Sequence, residues 1–99
     1  MNQDMQSKID QAQKLLKAFG LPVAQQNERA CLTLLALAHL KPLDDWDNVT
    51  NKLYRTVDLM TFMAECYGKE YKPNTRETIR RQTLHQFMQH GLVTKNRDD

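Results

Sequence analysis

The sequence predicts a mainly α-helical domain of four helices with one or two short strands. Apolar residues recur at spacings of three and four in four separate stretches, the period of a helix with one buried face. Each stretch ends close to a glycine or a proline, residues that commonly terminate helices. A chain of 99 residues is long enough for one modest core, so we expect residues 1–99 to form a single domain.

The first two helices are expected to supply the interior. The first should cover residues 4–19, with Gly20 ending it. The second should run from Asn27 to His39 and close at Pro42. It is apolar around most of its circumference, which predicts that it is the central, most buried helix.

The longest connection is expected over residues 41–55. Trp46, together with Leu43 and Val49, should fold this segment back on the core. Residues 53–55 are too short for a firm assignment but are compatible with a small strand.

The third and fourth helices carry capping signals. Thr56 is expected to be the N-cap of the third helix, and Gly68 its end. Asn74 is expected to cap the fourth helix in a capping box with Glu77, and Gly91 should end it.

The order of elements after residue 56 predicts a winged helix-turn-helix. Residues 92–95 have strand composition, so the chain runs helix, turn, helix and strand. This order is the core of a winged helix-turn-helix, with the wing present only as its first strand. We therefore expect a mainly α, winged helix-turn-helix-like helical domain.

The fourth helix has an outer face suited to reading DNA. At 3.6 residues per turn its inward side holds Ile79, Leu84, Phe87 and Met88. Arg80 projects close to that apolar side and is interpreted as a structural cation. The outer face offers donors and mixed donor–acceptors with little acid, the chemistry that base edges in the major groove require. The candidates for base contacts are Thr75, Thr78, Arg81, Gln82 and His85.

Cations flank this helix on both sides, where they would contact phosphates. The candidates are Lys69, Lys72, Arg76 and Lys95. Residues 51–99 hold nine Lys or Arg against six Asp or Glu, whereas residues 1–50 hold five against six. The asymmetry favours an acidic partner, with duplex DNA first. The alternative to DNA binding is that this face is an ordinary solvent-exposed helix surface without a binding role.

No catalytic residue, metal ligand or cofactor is predicted in this chain. Cys31 and Cys66 lie in apolar helical patterns, which predicts buried thiols in a reducing compartment. No apolar run is long enough to span a membrane and no leader is visible, so a cytoplasmic location is expected.

Two stretches carry a family resemblance. Residues 34–42 and, more specifically, residues 62–87 resemble the N-terminal helix-turn-helix domain of BsuBI/PstI-type restriction endonucleases. The resemblance implies a DNA-binding domain of a type II restriction endonuclease. In that family a nuclease domain follows, binds magnesium and cuts a palindromic six-base site related to CTGCAG. Such a nuclease domain is absent from these 99 residues, so the resemblance places cleavage elsewhere.

Two other functions remain open from the sequence. The polar face of the fourth helix could instead pack on the nuclease domain or on a second copy of the chain, making this a protein-interaction or dimerisation module. A stand-alone transcriptional regulator would carry the same helix-turn-helix without any nuclease.

Overall fold

The computed structural model describes residues 3–48 and 55–92, and this part of the chain is mainly helical, as predicted. The last three helical segments follow one another without a break, and we call them together the composite helix 75–89. Two short 3₁₀ turns complete the described elements, at Val23–Gln25 and Trp46–Asn48. The helical elements are α1 (Gln3–Ala18), α2 (Glu28–Leu37), α3 (Thr56–Tyr67), α4 (Thr75–Thr78), a π segment (Ile79–Thr83) and α5 (Leu84–Gln89).

Helix α2 is the centre of the fold, as predicted. It packs against α1, α3 and the π segment. Every residue from Ala30 to Ala36 is buried, including Thr33, whose hydroxyl donates to Arg29 O at 2.8 Å. The predicted N-cap Asn27 is confirmed, since its side chain accepts a hydrogen bond from Ala30 N at 2.8 Å.

The end of α2 comes earlier than predicted. His39 has a positive φ of 54°, so the chain leaves the helix before this residue. The imidazole packs on Phe62 of α3, with ring centroids 5.0 Å apart. Just beyond, Tyr67 Oη donates to Leu40 O at 2.7 Å in a buried hydrogen bond that ties α3 to the end of α2.

The start of α3 corrects one capping prediction. Arg55, not Thr56, is the N-cap, and Thr56 is fully buried inside the first turn. Asp58 acts from the first turn by accepting a hydrogen bond from Arg55 N at 3.1 Å. Gly68 ends the helix in the left-handed region, with φ 64°, as predicted.

The composite helix begins without the predicted capping box. Asn74 is the N-cap, but its φ of −67° and ψ of −18° are already helical and its side chain makes no capping hydrogen bond. An N-cap side chain reaches the next turn from an extended backbone, which Asn74 does not have. Backbone bonds close the first turn instead, Thr75 N to Lys72 O at 2.9 Å and Arg76 N to Pro73 O at 3.1 Å.

The π segment sets which side of the composite helix faces the core. Leu84 N donates to Ile79 O, five residues back, so this turn holds one more residue than an α turn. In a regular α-helix, residues four apart drift by about 40° per step around the axis. The wider turn offsets that drift. Ile79, Thr83 and Phe87, each four residues from the next, are all fully buried.

The sequence prediction for the inward side of this helix was therefore partly wrong. Ile79 and Phe87 are buried as expected, while Leu84 and Met88 are only half-buried. Thr83, which the prediction did not include, is buried between Ile79 and Phe87. Its hydroxyl is buried and has no hydrogen-bond partner among the described residues.

The described part of the connection after α2 makes both apolar and polar contacts with the rest of the domain. Trp46 is half-buried against the core as predicted, and its Nε1 donates to Gln11 Oε1 at 2.7 Å. Lys8 Nζ lies 5.9 Å from the Trp46 ring centroid and donates to Asp44 O. Leu43 was wrongly predicted to join this packing, because it is 80% exposed.

The helix-turn-helix consists of α3, the turn 68–74 and the composite helix. Within residues 3–48 and 55–92 no strand is present. The predicted wing strand 92–95 lies outside the described residues from Val93 onward, and Leu92 is in a bend after Gly91, whose φ is 78°. Arg55, the last residue of the small strand predicted for 53–55, is instead the N-cap of α3. Residues 53 and 54 lie outside the described part of the chain, and so does Val49.

We expect Tyr67→Phe to lower the free energy of unfolding by about 1–3 kcal/mol, because Leu40 O stays buried after its donor is removed. Thr83→Val removes a hydroxyl that bonds to no described group, so it should leave stability unchanged or raise it by up to about 1 kcal/mol. Urea unfolding followed by circular dichroism measures both. Equal losses for the two variants would contradict the assignment of these hydroxyls.

Candidate nucleic-acid interface

The exposed side of the composite helix lies opposite the buried line of Ile79, Thr83 and Phe87. Since the π turn keeps those three residues in line, residues two positions before or after them share the far side. These far-side residues also recur every four positions and are all exposed to solvent. They are Glu77, Arg81, His85 and Gln89, with Gln82 exposed beside them, and we call this set the outer face.

The predicted base-contact residues divide into two groups. Arg81, Gln82 and His85 belong to the outer face, and the Arg81 side chain is 75% exposed. Thr75 and Thr78 are half-buried and lie outside the outer face. The structure thus brings three of the five candidates together on one surface.

Glu77 is the feature of the outer face that sequence reasoning missed. The sequence predicted Glu77 only as the capping-box partner of Asn74, but it lies one turn before Arg81 on the exposed side. One carboxylate oxygen lies 2.8 Å from Arg81 Nε, and both oxygens lie 3.0 Å from Arg80 Nη2. The hydrogen bond from Arg80, with the positive charges of both arginines, holds the pKa of the Glu77 carboxyl below its usual range. The spacing of acid and base at i and i+4 could have revealed the pair.

Arg80 occupies the position predicted for a structural cation. Its side chain is 36% exposed, about half the value for Arg81, and its guanidinium binds a carboxylate. That carboxylate is Glu77, which is itself 51% exposed and not buried. Removing one partner of an ion pair in contact with water destabilises a protein less than removing one partner of a buried pair.

The phosphate-contact candidates also differ from one another. Lys69 Nζ lies 3.2 Å from Glu28 Oε1 at the start of α2 and 5.7 Å from the Tyr71 ring centroid, so it fastens the turn to the core. Lys72 is exposed in the turn that precedes the composite helix. Lys95 lies outside the described residues.

Arg76 is exposed at the start of the composite helix and lines an open groove between α3 and the turn. Glu70 and Tyr71 line the same groove beside it, together with Val57 and Met60 of α3. Burial raises the pKa of the Tyr71 hydroxyl, with the nearby Glu28 carboxylate adding to the effect. The groove therefore combines apolar side chains with one acidic and one basic side chain.

Within residues 3–48 and 55–92, no three His, Cys, Asp or Glu side chains are grouped so as to hold a metal ion. Cys31 is buried as predicted, and burial raises its pKa to about 11, while Cys66 is only half-buried. None of the described helices is both long and apolar enough to cross a lipid bilayer.

The fold and its outer face define a helix-turn-helix domain, and comparison with known proteins gives its family. Residues 6–99 match the family model described as the BsuBI/PstI restriction endonuclease HTH domain. The chain belongs to this family. The resemblance found in residues 34–42 and 62–87 is thereby confirmed.

Named relatives agree with this assignment. The chain is 43% identical to the type II restriction enzyme BsuBI of Bacillus subtilis, over 99% of this chain and 31% of that enzyme. It is 34% identical to the type II restriction enzyme AplI of Arthrospira platensis, over 89% of this chain and 27% of that enzyme. The solved structure of the SdaI restriction endonuclease superposes with a TM-score of 0.77 at 39% identity, over 81% of this chain and 25% of that one. The chain therefore spans less than a third of the length of these relatives.

We expect Arg80→Ala to lower the melting temperature more than Arg81→Ala, because the Arg80 side chain is only 36% exposed whereas that of Arg81 is 75% exposed. Arg81→Ala should change the free energy of unfolding by less than about 0.5 kcal/mol, as exposed truncations usually do. Thermal melts of the two variants measure the difference. A larger loss for Arg81→Ala would contradict the placement of these side chains.

Proposed function

We propose that this chain is the DNA-binding domain of a type II restriction endonuclease and that the composite helix enters the major groove of duplex DNA. The single observation that carries the proposal is the outer face in a chain of the BsuBI/PstI restriction endonuclease HTH domain family. In a helix-turn-helix the second helix reads the groove while the first crosses the backbone. Here α3 is the first of these helices and the composite helix is the second.

Three side chains of the outer face have the chemistry that base reading needs. Arginine donates two hydrogen bonds to the O6 and N7 atoms of guanine, and glutamine pairs in the same way with adenine. Arg81 and Gln82 are adjacent and exposed, and His85 follows one turn after Arg81. We assign base contacts to these three and give Thr75 and Thr78, both half-buried, a lesser part.

The flanking cations are proposed to contact phosphates. Lys72 and Arg76 are exposed at the start of the composite helix, where they would meet the backbone on one side of the groove. Lys69 would have to exchange its ion pair with Glu28 for a phosphate, so its contribution should be smaller. Lys95, which follows the composite helix in the sequence, is also proposed to contact a DNA phosphate.

Cleavage is proposed to belong to a nuclease domain outside these 99 residues, together with the magnesium ion that such a domain binds. A palindromic site related to CTGCAG would present two equivalent half-sites, which suits two copies of the chain related by a two-fold axis. A restriction enzyme acts on DNA inside the cell, so we propose a cytoplasmic location. The competing function is a protein-interaction module in which the outer face packs on the nuclease domain.

Salt dependence separates DNA binding from protein packing. Three or four phosphate contacts predict a slope of log affinity against log salt between about −2.7 and −3.6, at roughly 0.9 per contact. Fluorescence anisotropy of the isolated chain with labelled duplex DNA, titrated at several salt concentrations, measures the slope. Binding that ignores salt, or no binding at low salt, would favour the protein-interaction module.

We expect Arg81→Ala and Lys72→Ala to weaken DNA binding in different ways. The target is the duplex that the wild-type chain enriches from a randomised pool, with CTGCAG as the expected core, and the comparison duplex is a shuffled version of it. Loss of a guanine contact at Arg81 should cost about 1–3 kcal/mol on the target and less on the shuffled duplex. Loss of a phosphate contact at Lys72 should weaken both duplexes alike.

The matched control for these two variants is Lys14→Ala, which removes a positive charge from the exposed side of α1. It should affect binding less than Lys72→Ala on both duplexes, because long-range charge effects are screened. If Arg81→Ala weakens both duplexes equally, or spares the target, the composite helix does not read bases.

A further inference from the structure

A carboxylate in the middle of a surface that meets DNA requires an explanation. Glu77 is exposed on the outer face, and its negative charge repels the phosphates of any duplex that docks there. A residue that lowered affinity in this way without a compensating contact would only weaken the domain. The compensation is visible in its contacts with the two neighbouring arginines.

Glu77 links a half-buried arginine to an exposed one. Arg80, at 36% exposure, holds the carboxylate from the core side, while Arg81, at 75% exposure, is held by it from the solvent side. Without such a contact a long side chain at this exposure would sample many rotamers, and ordering it on DNA would cost conformational entropy. The Arg80–Glu77–Arg81 chain therefore holds Arg81 before DNA arrives.

The atom that Glu77 engages on Arg81 is informative. The carboxylate lies 2.8 Å from Nε, on the inner edge of the guanidinium. An arginine has five N–H donors, and the four on Nη1 and Nη2 lie at the far end of the fork. Two parallel bonds from that end match guanine O6 and N7, so a bond at Nε leaves the base-reading end available.

We propose that Glu77 is a positioning and specificity-determining residue, which orients Arg81 for end-on contact with a guanine and penalises DNA that lacks that guanine. The inference rests on the proposed function, since it assumes that the outer face meets DNA. When Arg81 finds a guanine, the oriented fork adds affinity that outweighs the repulsion between Glu77 and the phosphates. On other DNA the repulsion remains without this gain.

The alternative role for Glu77 is purely structural. Ion pairs at spacings of three and four support an isolated helix, and the same contacts would serve that purpose. A structural role predicts a change in melting temperature and an equal effect on all duplexes. A positioning role predicts a change in the preference for the target at nearly constant melting temperature.

The decisive comparison uses Glu77→Gln with Glu65→Gln as the matched control. Both substitutions are isosteric and remove one negative charge, and Glu65 is exposed on α3, outside the outer face. Each variant is titrated against the target and shuffled duplexes defined above and is melted in parallel. Glu65→Gln should leave the ratio of the two affinities unchanged, whether or not both duplexes bind more tightly.

Glu77→Gln should tighten the shuffled duplex and weaken the target, so that the affinity ratio falls by about fivefold or more, the lower end of the worth of one arginine–guanine pair. Glu77→Asp keeps the charge but shortens the reach toward Arg81. It should therefore bind the shuffled duplex as weakly as the wild type and still lose preference. This second variant separates the charge of Glu77 from its geometry.

A double-mutant cycle tests whether Glu77 acts through Arg81. In an Arg81→Ala background, Glu77→Gln should no longer lower the affinity ratio, because there is no guanidinium left to orient. A ratio that stays at the wild-type value in Glu77→Gln, or falls equally in both backgrounds, overturns the inference and leaves the proposed function standing. If the wild-type chain binds both duplexes equally, the proposed reading of bases is contradicted, and this inference fails with it.

Discussion

The buried line of Ile79, Thr83 and Phe87 is the constraint on which the rest of the helix-turn-helix depends. In a regular α-helix, residues four apart lie about 40° from each other around the axis, so three such residues spread over about 80°. The π turn narrows that spread, and Thr83 lies in the core with a hydroxyl that bonds to no described group. Rotation of the inner side fixes the outer side as well, and Glu77, Arg81 and His85 align because of it.

Electrostatic pairing on the outer face follows from this alignment. Glu77 lies one turn before Arg81, and its carboxylate lies 2.8 Å from Arg81 Nε. The half-buried Arg80 binds the same carboxylate through Nη2 at 3.0 Å. A face that carried only cations would hold any duplex by its phosphates, and affinity of that kind contains no sequence information. An acid among the arginines favours a geometry in which one guanidinium is already oriented.

Predictions from sequence succeeded where the signal was local. Asn27 caps α2 and Gly68 ends α3 because capping depends on a side chain or a φ angle within one turn. They failed where a neighbour decides the outcome. Leu43 is apolar yet 80% exposed, since the connection is fastened by Lys8 and by Gln11 through Trp46. One local prediction also failed: Asn74 makes no capping bond with its side chain, because its backbone is already helical.

The sequence by itself determined that the fold is mainly helical, that α2 is central, that the chain has a helix-turn-helix and which family it belongs to. The reason is that apolar periodicity and a long specific motif can be read directly from the order of residues. It also identified Arg81, Gln82 and His85 as exposed side chains of one helix. Only the tertiary structure decided that Thr83 is buried, that Thr75 and Thr78 leave the outer face, and that Glu77 joins it. The physical reason is that the pitch of the composite helix is set by its packing on α2, whereas a helical wheel assumes one constant pitch throughout.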